Sequence, residues 1–259
     1  MPEEPATFYE AGLATSHHEH FGDIAESAAA LLEGLLRQAG TTSGTVVDLG
    51  CGTGILARLM TRAGYDVVGF DLSPDMLARA RAEAPQATFH QASAFDADIP
   101  ACVAVTATGE VLNYAADPRA SLGAVEALVG RVAAAMEPGG ILLFDVSTPG
   151  RAGPLRHQER FVDHPGWTLG SIVEETAPGG SPTLTRDITL FRRSEDGRYA
   201  RSDEHHVLAL YEPDQVGGLL EAAGFEVVRR PSYAATATRS TPPAGWTVFV
   251  ARLRDATPR

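Results

Sequence analysis

The sequence contains no lysine: all 21 of its basic residues are arginine. Aspartate and glutamate together number 33, which leaves a formal net charge of −12. A field of that sign repels nucleic acid and anionic membranes, so neither is an expected partner. The lack of lysine beside abundant alanine and arginine reads as a mark of GC-rich coding DNA and carries no functional message. Two cysteines, Cys51 and Cys102, are too few for a disulfide framework, and neither has a metal-type partner nearby. Apolar runs are strand-sized and broken by Gly, Pro or charge, so no membrane span is expected. The opening Met1-Pro2-Glu3-Glu4-Pro5 lacks the basic start of a secretory leader, which makes a cytoplasmic location the expectation.

What is present is a regular alternation of elements. The 259 residues, 44% of them apolar, suffice for one α/β domain with an insertion. Apolar residues recur at helical spacing from Asp23 to Gln38. Strands are expected at 45–49, 66–70, 87–91, 102–106 and 140–146, with helices from Gly54 to about Ala63, Pro74 to Ala84 and Pro118 to Met136. Such alternation predicts a parallel sheet covered by helices on both faces. From residue 150 to 211 the helical period disappears. Segments 168–176, 183–193 and 199–211 are β-rich and separated by turn residues, which predicts an antiparallel insertion. His157 and His164 fall in a loop-like stretch at its start and receive no role. A helix at 213–223 and strands at 225–228 and 246–251 follow. The insertion leaves the carboxyl end of the fifth strand, where open α/β sheets place ligands, so it reads as a cap.

The strongest local signal is Val46-Val47-Asp48-Leu49-Gly50-Cys51-Gly52-Thr53-Gly54, a glycine turn between a strand and a helix. Glycines there let backbone amides approach a ligand at a helix N-terminus. Asp71 ends the next strand roughly twenty residues on, where a carboxylate can accept hydrogen bonds from both hydroxyls of a ribose. A dinucleotide fingerprint needs a third glycine at the position of Ile55, and the spacing is Gly-x-Gly-x-Gly instead. Asp48 suits a ligand bearing an ammonium better than one bearing a pyrophosphate. A NAD(P)-dependent oxidoreductase is therefore the weaker reading.

These residues resemble the class I S-adenosylmethionine (SAM)-dependent methyltransferases, in the branch acting on small molecules. The resemblance runs from about Thr45 to Val250 and is densest over 46–146. It implies a doubly wound, Rossmann-like, seven-stranded, mostly parallel sheet with the last strand antiparallel. Residues 41–149 and 212–259 would form this core, 150–211 the β-rich substrate cap, and 1–40 a helical segment over the SAM site. It also implies SAM as cofactor, S-adenosylhomocysteine as product, and contacts from Asp48, Gly50, Cys51, Gly52 and Gly54 to the methionine part and ribose. Asp71 would hold the ribose, Leu72 and Met76 would line the adenine, and Ser93-Ala94-Phe95 stands where the family places an acid–Ala or acid–Met pair. Thr108 and Gly109 open the segment beside the reactive methyl, with Asn113 and Tyr114 facing acceptor. Tyr9 matches an aromatic that folds over the methionine end.

Methyl transfer from a sulfonium is mainly a matter of alignment, with a base needed only for a protonated nucleophile. Candidate catalytic groups are His18, from the His17-His18-Glu19-His20 cluster, and His205, His206 and Tyr211 from the last cap strand. Alternation puts His205 and Tyr211 on one face of that strand and His206 on the other, so at most one histidine faces a pocket. Arg186 is a candidate for an acceptor carboxylate or phosphate, and Trp167 for a pocket wall. No metal site is expected. The expected partner is a small-molecule acceptor methylated on nitrogen, oxygen or an acidic carbon, and a homodimer is an allowed assembly. A SAM-binding regulator without turnover is the non-enzymatic alternative.

Overall fold

A computed structural model describes residues 22–176, 181–194, 196–234 and 244–255. Helix α1 (Gly22–Gln38) leads into β1 (Thr45–Leu49), α2 (Ile55–Arg62), β2 (Asp66–Asp71), α3 (Pro74–Glu83) and β3 (Thr88–Gln91). Next come β4 (Cys102–Ala107), a short 3-10 turn (Val111–Asn113), α4 (Leu122–Ala135) and β5 (Met136–Ser147). Four strands follow, β6 (His157–His164), β7 (Trp167–Glu175), β8 (Thr183–Arg193) and β9 (Tyr199–Ala209). The described residues close with α5 (Pro213–Ala222), β10 (Phe225–Arg230) and β11 (Trp246–Leu253).

The seven-stranded sheet runs β10-β11-β5-β4-β1-β2-β3. Strands β1 to β5 pair in parallel, and β11 is antiparallel to both its neighbours. Alternation along β1 explains the layering: Val46 faces α1, α2 and α3, while Val47 and Leu49 face α4 and α5. Leu32, Leu36, Leu56, Met60 and Leu77 fill the first layer, and Val125, Val129, Phe144, Phe225 and Phe249 the second. A parallel sheet buried on both faces cannot alternate with water, hence the near-continuous apolar run of β4, buried at every residue. Among the described residues no helix is long and apolar enough to cross a membrane.

Three expectations need correction. The cap sheet has four strands, in order β6-β7-β8-β9, because residues 157–164 form a strand and not a loop. Strand β6 is an edge strand with a mostly exposed, polar pattern, so no apolar alternation marks it in the sequence. Helix α4 starts at Leu122 and not Pro118, because Ser121 is its cap and accepts from the Ala124 amide at 3.2 Å. Strand β5 begins at Met136, where its pairing with β4 slips between Cys102 and Ala104.

The cap is anchored to the core through β9. Tyr114 bridges Leu208, the Ala115 amide donates to the Val207 carbonyl at 2.8 Å, and the Asn113 side chain donates to the Ala209 carbonyl at 2.6 Å. The loop that follows β4 is thus hydrogen-bonded to the strand that ends the cap.

Candidate active site

The turn after β1 has Gly50, Gly52 and Gly54 at φ of 68°, 53° and 83°, a region strained for side-chain-bearing residues. A Cβ on Gly50 would meet Val111 Cγ2 at 2.4 Å, and one on Gly54 the Ala80 backbone at 2.9 Å. A Cβ on Gly52 would meet nothing within 4 Å. Gly50 and Gly54 thus serve packing, and Gly52 faces open space where a ligand can lie against backbone. Asp71 stitches the turn to the next strand end: Oδ2 accepts from the Gly52 amide at 2.9 Å and Oδ1 from the Ser73 amide at 2.8 Å. Burial raises its pKa, opposed by the amides of Ser73, Gly52 and Leu72. Each carboxylate oxygen keeps a further lone pair for a hydroxyl.

Asp48 is buried at the end of β1, with Thr106 donating to Oδ1 at 2.8 Å. Burial pushes its pKa up to about 7, the Thr106 bond opposes this, and the Asp71 charge adds to it. Such a carboxyl is set to respond to a cation. Cys51 is buried beside it, and the same burial and negative charges push its thiol up.

Across the turn, Met76, Ala94 and Phe95 are buried and Leu72 is exposed. Ser93 is not alone. Its hydroxyl donates to the buried Asp117 carboxylate and accepts from the Phe95 amide at 2.9 Å. Arg119 holds Asp117 Oδ1 at 3.1 Å and Asp96 at 2.7 Å. An acid from the loop after β4 therefore reaches the neighbourhood where the sequence supplies only a serine.

Asp145, fully buried on β5, fixes that loop. Its carboxylate accepts from the amides of Gly109 (2.7 Å) and Glu110 (2.6 Å), the Tyr233 hydroxyl (2.6 Å) and the Trp246 indole (2.9 Å). Burial pushes its pKa up to about 6, against the pull of Tyr233 and the Gly109 amide. The two captured amides flank a backbone at φ +85° for Gly109 and +64° for Glu110, the latter uncommon for a residue with a Cβ. Glu110 then takes Arg186 at 2.9 Å, Arg151 at 3.0 Å and the Ser147 hydroxyl at 2.5 Å. Burial alone would raise its carboxyl; the two arginines and Ser147 hold it down to about 2.

The remaining sequence candidates divide by placement. His206, 1% exposed, lies on the inner face of the cap, edge-on to Tyr114 at 5.4 Å between ring centroids and 2.7 Å from Glu204. His205 lies on the outer face, exposed, 2.6 Å from Asp187. The alternation that separated the two histidines left their direction open, and burial decides it. Tyr211 is buried and donates to the Leu112 carbonyl at 3.1 Å, and burial pushes its hydroxyl up to about 12, so it remains a donor near neutrality. Asn113 spends its side chain on Ser147 and Ala209 backbone. Trp167 stacks on His164 within the cap's own apolar cluster with Leu169 and Leu190. Arg186 reaches the site but is engaged by Glu110. Tyr9, His17, His18 and His20 lie outside the described residues. Sequence reading passed over Asp145, Glu110, Glu204 and Asp117. The one signal for Asp145 was a lone acid inside the apolar run 141–146, a residue that burial tolerates only with partners.

Replacing Asp145 by Asn turns one accepting oxygen into a donor aimed at existing donors. Asp145→Asn is expected to cost about 2–4 kcal/mol in urea unfolding. A midpoint equal to wild type would show that the four bonds do not hold the loop.

Comparison with known proteins places this geometry. Residues 19–230 match the sequence family described as "Methyltransferase domain". A protein of Geobacillus sp. (strain WCH70), provisionally named a methyltransferase, is 32% identical over 189 residues, covering 71% of this chain and 74% of its own. The dTDP-3-amino-3,6-dideoxy-alpha-D-glucopyranose N,N-dimethyltransferase of Streptomyces fradiae is 28% identical, covering 74% of this chain and 68% of its own. Among solved structures, an S-adenosylmethionine-dependent methyltransferase from Clostridium acetobutylicum ATCC 824 shares the fold with a TM-score of 0.76 at 15% identity, over 94% of this chain and 98% of that one. Streptomyces venezuelae DesVI does so at 0.73 and 21%, over 95% and 98%. A glycine turn beside two buried acids, on this fold, agrees with the matched family: the chain belongs to the SAM-dependent methyltransferases.

Proposed function

We propose that the chain methylates an amino group on a sugar-like acceptor held between the cap's inner face and the loop 108–114. The observation that carries this is the docking of β9 onto that loop through Tyr114, Ala115 and Asn113, which sets His206, Glu204 and Arg186 over the carboxyl edge of β4. The similarity to an amino-sugar N,N-dimethyltransferase supports nitrogen as the nucleophile.

The open cradle at Gly52, the ribose-ready carboxylate of Asp71 and the buried acid Asp48 fit SAM, an adenosyl cation. When bound, SAM supplies an electrophilic methyl on a positively charged sulfur. Asp71 would take the ribose hydroxyls, and Asp48 the positive charge of the methionine part. Ser93 has given its only proton to Asp117, so it would meet the adenine amine as an acceptor. Met76, Ala94 and Phe95 would exclude water from the ring. Thr108 and Gly109 would border the methyl, with Gly109 fixed by Asp145. Asn113 and Tyr211 would hold this loop in place and leave the chemistry to the groups above them.

Methyl-labelled SAM incubated with dTDP-3-amino-3,6-dideoxyglucose is expected to yield labelled product; binding of SAM without transfer to any amine would favour a regulator. Asp71→Ala is expected to weaken SAM by about 30-fold in calorimetry, from two lost charge-assisted bonds. Unchanged affinity would remove Asp71 from the site. A cation favours ionised Asp48, so SAM binding should expel a proton below the Asp48 pKa of about 7 and tighten as pH rises to that value, then level off. Affinity that stays flat from about pH 6 to 8 would deny Asp48 that role.

A further inference from the structure

We infer that Glu204 is the catalytic residue that receives the acceptor's amine, with His206 fixing the carboxylate in place. This rests on the reading above that an amine acceptor enters under the cap.

Three observations converge on Glu204. Its side chain is only 8% exposed, so its charge is held largely out of water. Oε2 is engaged by His206 Nε2 at 2.7 Å. The other oxygen, Oε1, is buried and has no hydrogen-bond partner among the described residues. An ionised oxygen left in that condition is costly, because desolvation is not returned by any bond. Proteins retain such a group where a ligand completes it.

The position is equally specific. Glu204 sits opposite Ile188 and His206 opposite Arg186, on the cap face whose neighbours Leu208 and Leu184 are fully buried. His206 in turn packs against Tyr114, on the loop that follows β4. Two other buried acids lie on this side, and both are already engaged: Glu110 by Arg186 and Arg151, and Glu175 by the Gly150 amide and Arg156. Glu204 is therefore the acceptor-side carboxylate with an oxygen to spare.

That oxygen selects a donor. An alkylammonium offers three N–H groups and a positive charge; a hydroxyl offers one and none. Carboxylates are far too weakly basic to ionise an alcohol, whereas an ammonium lies within much closer reach. In the step assigned to Glu204, one N–H bond of the bound ammonium breaks. Its electron pair stays on nitrogen as the nucleophilic lone pair, and the proton passes to Oε1. The proton leaves to solvent after product departs, which restores the carboxylate.

The test uses the full chain saturated with S-adenosylhomocysteine, and 3-amino-3-deoxyglucose against glucose as probes. The amino sugar, and not glucose, is expected to raise the Tm of wild type. Glu204→Gln keeps the contact to His206 but loses the charge. It is expected to abolish that rise and raise KM for the amino sugar by roughly 10- to 100-fold. Its Tm without amine should equal or exceed that of wild type, since the uncompensated charge is gone, and its S-adenosylhomocysteine affinity should match wild type. Glu204→Asp, which keeps the charge but withdraws it, should retain the preference for amine over hydroxyl at a raised KM. The role of Glu204 is overturned by equal protection of wild type and Glu204→Gln, or by a Glu204→Gln variant that loses several degrees of Tm, which marks a structural residue; no protection of wild type overturns the amine-acceptor reading itself, and this proposal with it. Loss of S-adenosylhomocysteine binding by wild type would instead sink the placement of the cofactor, so the failures are distinguishable.

Discussion

The site depends on one buried carboxylate taking four hydrogen bonds. Asp145 lies near the carboxyl end of β5, and its donors come from the loop after β4, from Tyr233 beyond β10 and from Trp246 at the start of β11. An ion buried in an apolar layer is tolerable only when its lone pairs are filled. Filling them brings three separate stretches of chain to one point. The left-handed backbone at Gly109 and Glu110 follows from that convergence, and so does the direction in which Glu110 projects toward the cap.

Asp48, Asp71, Glu110 and Asp145 all gather near the carboxyl ends of the central strands, yet each is handled differently. Asp71 is held by amides, Asp145 by amides and two aromatic side chains, and Glu110 by arginines. Asp48 has one side-chain donor among the described residues, the Thr106 hydroxyl, and burial pushes its carboxyl up to about 7, above the value of about 6 at Asp145. Among the described residues the site is therefore left electrostatically incomplete at Asp48 and at Glu204. Arginine serves at every basic position, and its forked donors let Arg186 and Arg151 share one carboxylate without displacing Ser147.

Much of this was legible in the residues themselves. Short continuous apolar runs and period-3.6 patterns located the central sheet and its helices, because strands buried on both faces and capped helices leave strong local marks. The glycine turn and Asp71 were readable because only small residues at fixed offsets allow that bend. Strand β6 was not readable: an edge strand in contact with water on most of its length has no apolar alternation. Asp145, Glu110, Asp117 and Glu204 escaped for a different reason. Their roles arise from partners 24 to 101 residues away or from burial set by the cap, and no local window contains both members of such a pair. Glu204 is instructive, since its partner His206 is only two residues distant, and yet nothing but the direction of the sheet says that both point inward.

The clasp between β9 and the loop at Tyr114–Ala115 also acts as a register lock. A strand shifted by a single residue presents its opposite side, so a one-residue slip of β9 would exchange His206 for His205 and Glu204 for Asp203. Length changes in the turn between β8 and β9 fall beyond that clasp and leave the inward set intact. Changes between Val207 and Leu210 would turn the strand over. The cap can therefore lengthen at its far end without disturbing the inward set, while its near end is held in register by the clasp.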